Sequence, residues 1–177
     1  MNRISKSATL CALGFALVFA GSIVSKTSAA PGSAANGHGT LLVTDGNGDA
    51  VRRQFSFSGR QVSGFSATGN AILHNPAFRV GNGQRYALQI DIKCINVFGN
   101  TVFFGGLTQR TNDPSLVDAV YFSVQDNGEP GRDVDKISRA FFFDDDPNTT
   151  GDPMLCQFNQ PGDFLLETIS AGNVQVK

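Results

Sequence analysis

Tryptophan is absent from this 177-residue chain, and tyrosine and histidine occur only twice each. Sugar platforms usually rely on Trp and Tyr rings, so their scarcity speaks against carbohydrate binding. Two histidines and three cysteines leave few ligands for a dedicated transition-metal site. Charge is thin as well: 16% of residues are charged, 14 basic against 15 acidic, for a formal net charge of -1. Such a balance gives no electrostatic footprint for nucleic acid or an anionic surface. Nucleophile and phosphate motifs are missing too: no Gly-x-Ser-x-Gly elbow, no His-Glu-x-x-His, no Gly-x-Gly-x-x-Gly between a strand and a helix. What is present is enough apolar material, 41% of residues, to bury the core of one domain.

The first 29 residues have the three-part pattern of a secretory signal peptide. Arg3 and Lys6 supply a basic start, residues 8–24 are apolar or small throughout, and Thr27-Ser28-Ala29 offers an Ala-x-Ala-like cleavage site. The competing interpretation, an uncleaved anchor, needs a longer run, because a span takes ~20 apolar residues. Cys11 lies inside the apolar run with no lipobox before it, so it is not a lipoprotein cysteine. Cleavage after Ala29 removes three bases and leaves 11 basic against 15 acidic residues. It also leaves an even cysteine pair, Cys94 and Cys156, which in an exported chain is most simply a disulfide. Closing that 62-residue separation stabilises by up to ~4 kcal/mol in the chain-entropy model. The product is expected in the periplasm or the exterior, with no membrane contact once the leader is removed. Two free buried thiols are the alternative to the disulfide.

Residues 30–38 (Ala-Pro-Gly-Ser-Ala-Ala-Asn-Gly-His) read as a flexible lead-in, and 39–177 as a single β-domain. No stretch of ten residues after that keeps a helical apolar period without Gly, Pro or Asn. Tyr86, Leu88, Ile90, Ile92 and Cys94 fall on one face of a strand; Gln89, Asp91 and Lys93 fall on the other. Val120, Phe122 and Val124 oppose Tyr121, Ser123 and Gln125 in the same way. Val51, Phe55 and Phe57 keep even spacings, as do Val174 and Val176. Gly81-Asn82-Gly83, Gly99-Asn100 and Asn127-Gly128 punctuate these runs, with hairpins over 80–86 and 97–102. The expected fold is all-β: an antiparallel sandwich or closed barrel of about eight to ten short strands, with essentially no helix outside the leader. Most of the 15 phenylalanines belong to its core. Phe141-Phe142-Phe143 must place at least one ring on an outer face, which is expected to meet a second layer.

Three acidic stretches are candidates for chemistry. Asp45-Gly46-Asn47-Gly48-Asp49 begins like a calcium loop, but Ala50 stands where the sharp turn wants Gly and Ser56 where a Glu should close the site. A hairpin turn is the better reading. In the stretch from Asp144 to Asp152, the side chains of Asp144, Asp146, Asn148 and Asp152 could converge on one calcium ion; a solvated acidic tip competes with this. Asp126-Asn127-Gly128-Glu129-Pro130-Gly131, with Asp133 and Asp135, could supply acid and base for glycoside hydrolysis, but reads better as a turn with capping carboxylates. His74 closes a strand-like run and is expected to be a surface hydrogen-bonding residue.

The chain from 55 to 176 resembles an uncharacterised group of bacterial exported β-domains, similar to the post-COAP domain of bacterial surface proteins. Phe55-Ser56-Phe57, Gly99-Asn100, Gly105-Gly106, Asp126-Asn127-Gly128-Glu129, Asp135-Lys136-Ile137 and Gly172-Asn173-Val174-Gln175-Val176 carry the resemblance, with Cys94 and Cys156 between them. It implies a small exported β-domain, standing alone or joined to other extracellular modules, and transfers no catalytic residue. The chain has no Gly-X-Y repeats of its own. Three functions are therefore in play. They are a non-enzymatic structural or interaction module with a protein or surface partner, a barrel binding a small apolar ligand, and a carboxylate-based hydrolase.

Overall fold

The computed structural model describes residues 32–79, 85–112, 116–142 and 149–177. They form one curled antiparallel sheet of nine strands, in the order β8-β7-β6-β5-β4-β3-β2-β1-β9. The strands are β1 (Ala34–Thr44), β2 (Ala50–Ser63), β3 (Ser66–Arg79), β4 (Arg85–Phe98), β5 (Thr101–Thr111), β6 (Ala119–Gln125), β7 (Lys136–Ser138), β8 (Leu166–Thr168) and β9 (Ala171–Val176). Among the described residues the longest helical piece is a 3-10 helix, Pro153–Phe158. The all-β expectation and the strand number hold. The leader, residues 1–29, lies outside the described residues.

Each strand from β1 to β7 pairs antiparallel with the next one in sequence. The inside of the curl is filled by one apolar cluster from every long strand, including Leu41, Phe55, Leu73, Ile90, Phe104, Phe122 and Val174. Phe104 and Phe122 stack with centroids 4.8 Å apart, and Phe57 meets both at 5.4 and 6.0 Å. Rings so placed add ~0.5–1.5 kcal/mol per pair beyond their buried area.

The domain begins earlier than expected. Residues 34–38, read as part of a flexible lead-in, are the first half of β1, paired with β2 on one side and β9 on the other. Glycine is the reason both for the misreading and for the strand. A Cβ on Gly37 would lie 2.7 Å from the Phe57 ring, and one on Gly39 would lie 2.9 Å from Phe55. The rings lie over a bare backbone, so a loop-like composition here serves strand packing.

A second correction concerns β4. Cys94 does not share a face with Leu88, Ile90 and Ile92. The register against β5 shifts between Ile92 and Cys94, and a bulge of this kind re-aims the side chains beyond it. Ile92 and Ile95 point into the curl, while Cys94 turns outward. There it bonds to Cys156 on the 3-10 helix, with both sulfurs fully buried.

That disulfide pins a second layer over the outer face of β4–β6. Phe103, Ala119, Tyr121 and Phe164 pack with it, joined by Phe141. Phe141 meets Phe164 at 4.9 Å, whereas Phe142 packs inward. The expected second layer under the Phe141-Phe142-Phe143 run is therefore real for Phe141; Phe143 lies outside the described residues. Asn96 donates to the carbonyls of Cys156, Gln157 and Asn159, and Tyr121 Oη donates to the Asp152 carbonyl at 2.6 Å.

Thiol labelling under denaturing, non-reducing conditions is expected to leave Cys94 and Cys156 unmodified. The Cys94→Ala/Cys156→Ala pair is expected to lower stability by about 2–4 kcal/mol in urea unfolding. Modification of either cysteine in the unreduced protein refutes the bridge.

Candidate functional site

The chain passes from one edge of the sheet to the other through only Ile169 and Ser170, which link β8 to β9. Ser170 N–H donates to the Thr40 carbonyl on β1, while Ile169 exchanges backbone bonds with Asp133 and Asp135. The residues that end β6 and lead into β7 are therefore held beside β9. The edge of β9 turned away from β1 meets side chains there. Val174 N–H donates to Asp135 Oδ2 at 2.8 Å, and Val176 N–H donates to Asp126 Oδ2 at 3.0 Å.

Each carboxylate also holds its own loop. Asp135 Oδ1 accepts from Asn127 N–H at 2.8 Å, and Asp126 Oδ1 accepts from Gly128 N–H at 3.0 Å. Asn173 reciprocates from β9, accepting from Gly131 N–H and donating to Glu129 Oε1 at 2.7 Å. Asn100 Nδ2, in the β4–β5 turn, reaches the Asp126 carbonyl and Asn127. The acidic loop is thus a turn with capping carboxylates, as its composition suggested, and Asp126 and Asp135 are spent on backbone N–H groups. Asp135 is fully buried, so its two charge-assisted bonds are shielded from competing water.

At the other end of the curl an ion pair crosses the interior. Arg53, on β2, is buried and donates to Glu167 Oε2 of β8 at 2.6 Å and to the Ser138 carbonyl at 2.8 Å. Arg139 adds a second, more exposed contact to Glu167 Oε1 at 3.2 Å. Beside this pair lies a cavity of about 210 Å³, walled by Leu73, Leu116, Ala140 and Phe142 with Arg53 and Arg139. Sequence reasoning missed Arg53, although the signal was there: it is the one charged residue in the inward series Val51, Arg53, Phe55, Phe57.

The remaining candidates fall as follows. Asp45 Oδ1 accepts from Asn47 and Asp49 N–H, so that stretch is the β1–β2 hairpin turn expected. Asp152 caps the 3-10 helix, accepting from Met154 N–H at 2.9 Å. Asp144, Asp146 and Asn148, its expected calcium-binding partners, lie outside the described residues. Among the described residues no three His, Cys, Asp or Glu side chains are grouped to hold a metal ion. His74 lies on β3 and pairs across to Gln54. Comparisons with protein-family models, curated proteins and solved structures find no match.

Two predictions follow from the seam and the ion pair. Asp135→Asn leaves one buried N–H facing an amide instead of a carboxylate. It is expected to cost about 2–4 kcal/mol and to speed hydrogen exchange at Val174 more than at Val176. Asp133→Asn, at an exposed site, is expected to stay within about 0.5 kcal/mol of the parent. Glu167→Ala removes the carboxylate opposite the buried Arg53 guanidinium and is expected to cost about 2–4 kcal/mol. Arg53→Met with Glu167→Met is expected to restore most of that loss, because the desolvation cost disappears with the charges. Equal losses in the single and double variants refute the account.

Proposed function

We propose that this chain is an exported, non-enzymatic β-domain that acts as a structural or interaction module. Cleavage after Ala29 would deliver residues 30–177 to the periplasm or the exterior, where the partner is a protein or a surface and neither nucleic acid nor, after leader removal, membrane. The observation that carries this reading is the buried Cys94–Cys156 disulfide. A bridge between two sheltered sulfurs, holding a whole second layer, suits an oxidising compartment. The apolar filling of the curl supports the same reading, because a ligand-carrying barrel keeps its interior open.

The sequence resemblance to the post-COAP domain points the same way. Its Asp126-Asn127-Gly128-Glu129, Asp135 and Asn173-Val174-Gln175-Val176 motifs are the residues that meet at the seam. On this reading they record how the sheet completes itself as a barrel, with carboxylates in place of a strand ladder, and not a binding site. The same proposal takes this stretch as a solvated acidic loop with no cofactor, and calcium at Asp144, Asp146, Asn148 and Asp152 is the alternative. A rise in melting temperature at millimolar calcium, lost in Asp152→Ala, tests it.

A second reading rests on the cavity beside Arg53. It lies at one end of the curl, is smaller than the ~300–1,000 Å³ of typical ligand sites, and would take a small apolar molecule at most. A carboxylate hydrolase is the third, with the carboxylates of residues 126–135 and 144–152 as its acid and base.

Expression in a secreting bacterium, followed by N-terminal sequencing and photo-crosslinking, tests the first reading. A mature chain starting at Ala30 is expected. A photoreactive residue at exposed Ile72, on β3, is expected to capture one discrete partner, whereas one at buried Tyr121 captures none. Retention in the cytoplasm, or glycoside hydrolysis abolished by Asp126→Asn, overturns it.

A further inference from the structure

Three phenylalanines stand exposed around one residue, Asn96. The Phe65 carbonyl accepts from Ile95 N–H, which brings the β2–β3 turn next to Asn96. The carbonyls on either side of Phe158, those of Gln157 and Asn159, both accept from Asn96 Nδ2. Phe98 follows two residues later on β4, with its ring against Phe103. Phe65 is 39% exposed, Phe98 42% and Phe158 68%, and Val62, across the β2–β3 turn, is 60% exposed. Burying rings was within this sheet's means, since Phe55, Phe57, Phe103, Phe104 and Phe122 are all inside. Exposed aliphatic side chains such as Leu42, Val117 and Leu165 lie elsewhere on the domain, but the exposed phenylalanines among the described residues are all at this end, and rings grouped in this way mark a contact surface.

The chain itself indicates what that surface meets. Gln61 N–H donates to the Ser33 carbonyl at 2.8 Å, so the described chain begins beside Val62, at the same end as the rings. The residues before it are the apolar leader, with its run over 8–24. Arg60 pairs with Ala34, and Lys177 exchanges backbone bonds with Ala34, which places two basic side chains beside the start of β1. Asp126 and Glu129 lie at this end too, but both are bonded to β9. A leader that enters a bilayer would tether the domain from this end, because the chain enters the fold at Ser33 beside Gln61. Rings there enter the interfacial layer, and long basic side chains reach the headgroups.

We infer that, while the leader is attached, the end of the domain carrying Val62, Phe65, Phe98 and Phe158 contacts the lipid interface. This rests on the leader reading and adds an orientation to it. The contact sets the domain upright on its leader and leaves the outer face of β1–β3, with Ile72, directed to the side. It ends when cleavage frees residues 30–177, which have no apolar tether to hold the rings in place.

The absence of tryptophan gives a clean test. Phe65→Trp, Phe98→Trp, Phe158→Trp and Ile72→Trp are made singly in the full 177-residue chain and incorporated into phosphatidylcholine vesicles. The three tip reporters are expected to shift to the blue and to be quenched at least about twofold more by brominated lipid than the Ile72→Trp reporter. If the chain stays with the vesicles and all four reporters behave alike, the inference is overturned and the leader reading survives. If the chain does not sediment with the vesicles, the lipid contact is overturned, and the leader reading stands or falls on the N-terminus of the secreted product. A blue shift without lipid that grows with protein concentration assigns the tip to a second copy of the chain and overturns the lipid contact.

Discussion

The structure depends on how the outer edge of β9 finds its hydrogen-bond acceptors. Two residues, Ile169 and Ser170, carry the chain from β8 to β9, so the edges cannot lie apart. A backbone ladder is not what joins them. The outer N–H groups of β9 need acceptors, and a buried edge without them would cost several kcal/mol. Asp135 and Asp126 supply those acceptors while tying down the loop they come from. A side chain can reach across a gap that a twisted strand cannot follow, and a carboxylate accepts from two N–H groups at once. The edge is thereby masked against pairing with another chain.

The ion pair at the opposite end does related work by a different means. Arg53 reaches from β2 across the interior to β8, tying the middle of the sheet to its edge. Leucine and methionine would fill the same space at lower desolvation cost. What a charge pair adds is direction: a guanidinium bonded to both Glu167 and the Ser138 carbonyl admits one placement of β7 and β8. Both ends of the curl are thus fixed by polar groups, and the phenylalanines between them fill the volume those groups define.

Alternation was legible in the sequence, and so were the turns at 45–49 and 99–100; the turn expected over 80–86 falls largely outside the described residues. Val120 to Gln125 and Val51 to Phe57 read correctly because their neighbours on both faces obey a strict period of two. The Cys94–Cys156 pair read correctly too, because an even count in a chain expected to be exported is most simply a bridge, without any geometry. Three things did not read. β1 was hidden by Gly37 and Gly39, whose role depends on rings in the next strand. The outward turn of Cys94 was hidden by a bulge whose signal lies in the register against β5, not in β4 itself. Arg53 was passed over because a pattern built on apolar residues skips the charged one that keeps the same period. In each case the deciding contact is non-local, and a local pattern holds no record of it.

The acidic loop shows the same limit from the other side. Residues 126–135 have the composition of a ligand site: three aspartates, a glutamate, a turn. Their partners turn out to be backbone N–H groups 39 and 50 residues further along the chain. A carboxylate that faces an unpaired strand edge and one that faces a cation have the same sequence signature, because both meet a concentration of positive partial charge. The difference lies in what stands opposite. Here β9 stands opposite Asp126 and Asp135, delivered by a two-residue link from the far edge. The length of that link, more than the identity of the acids, decides that this cluster caps the outer edge of β9.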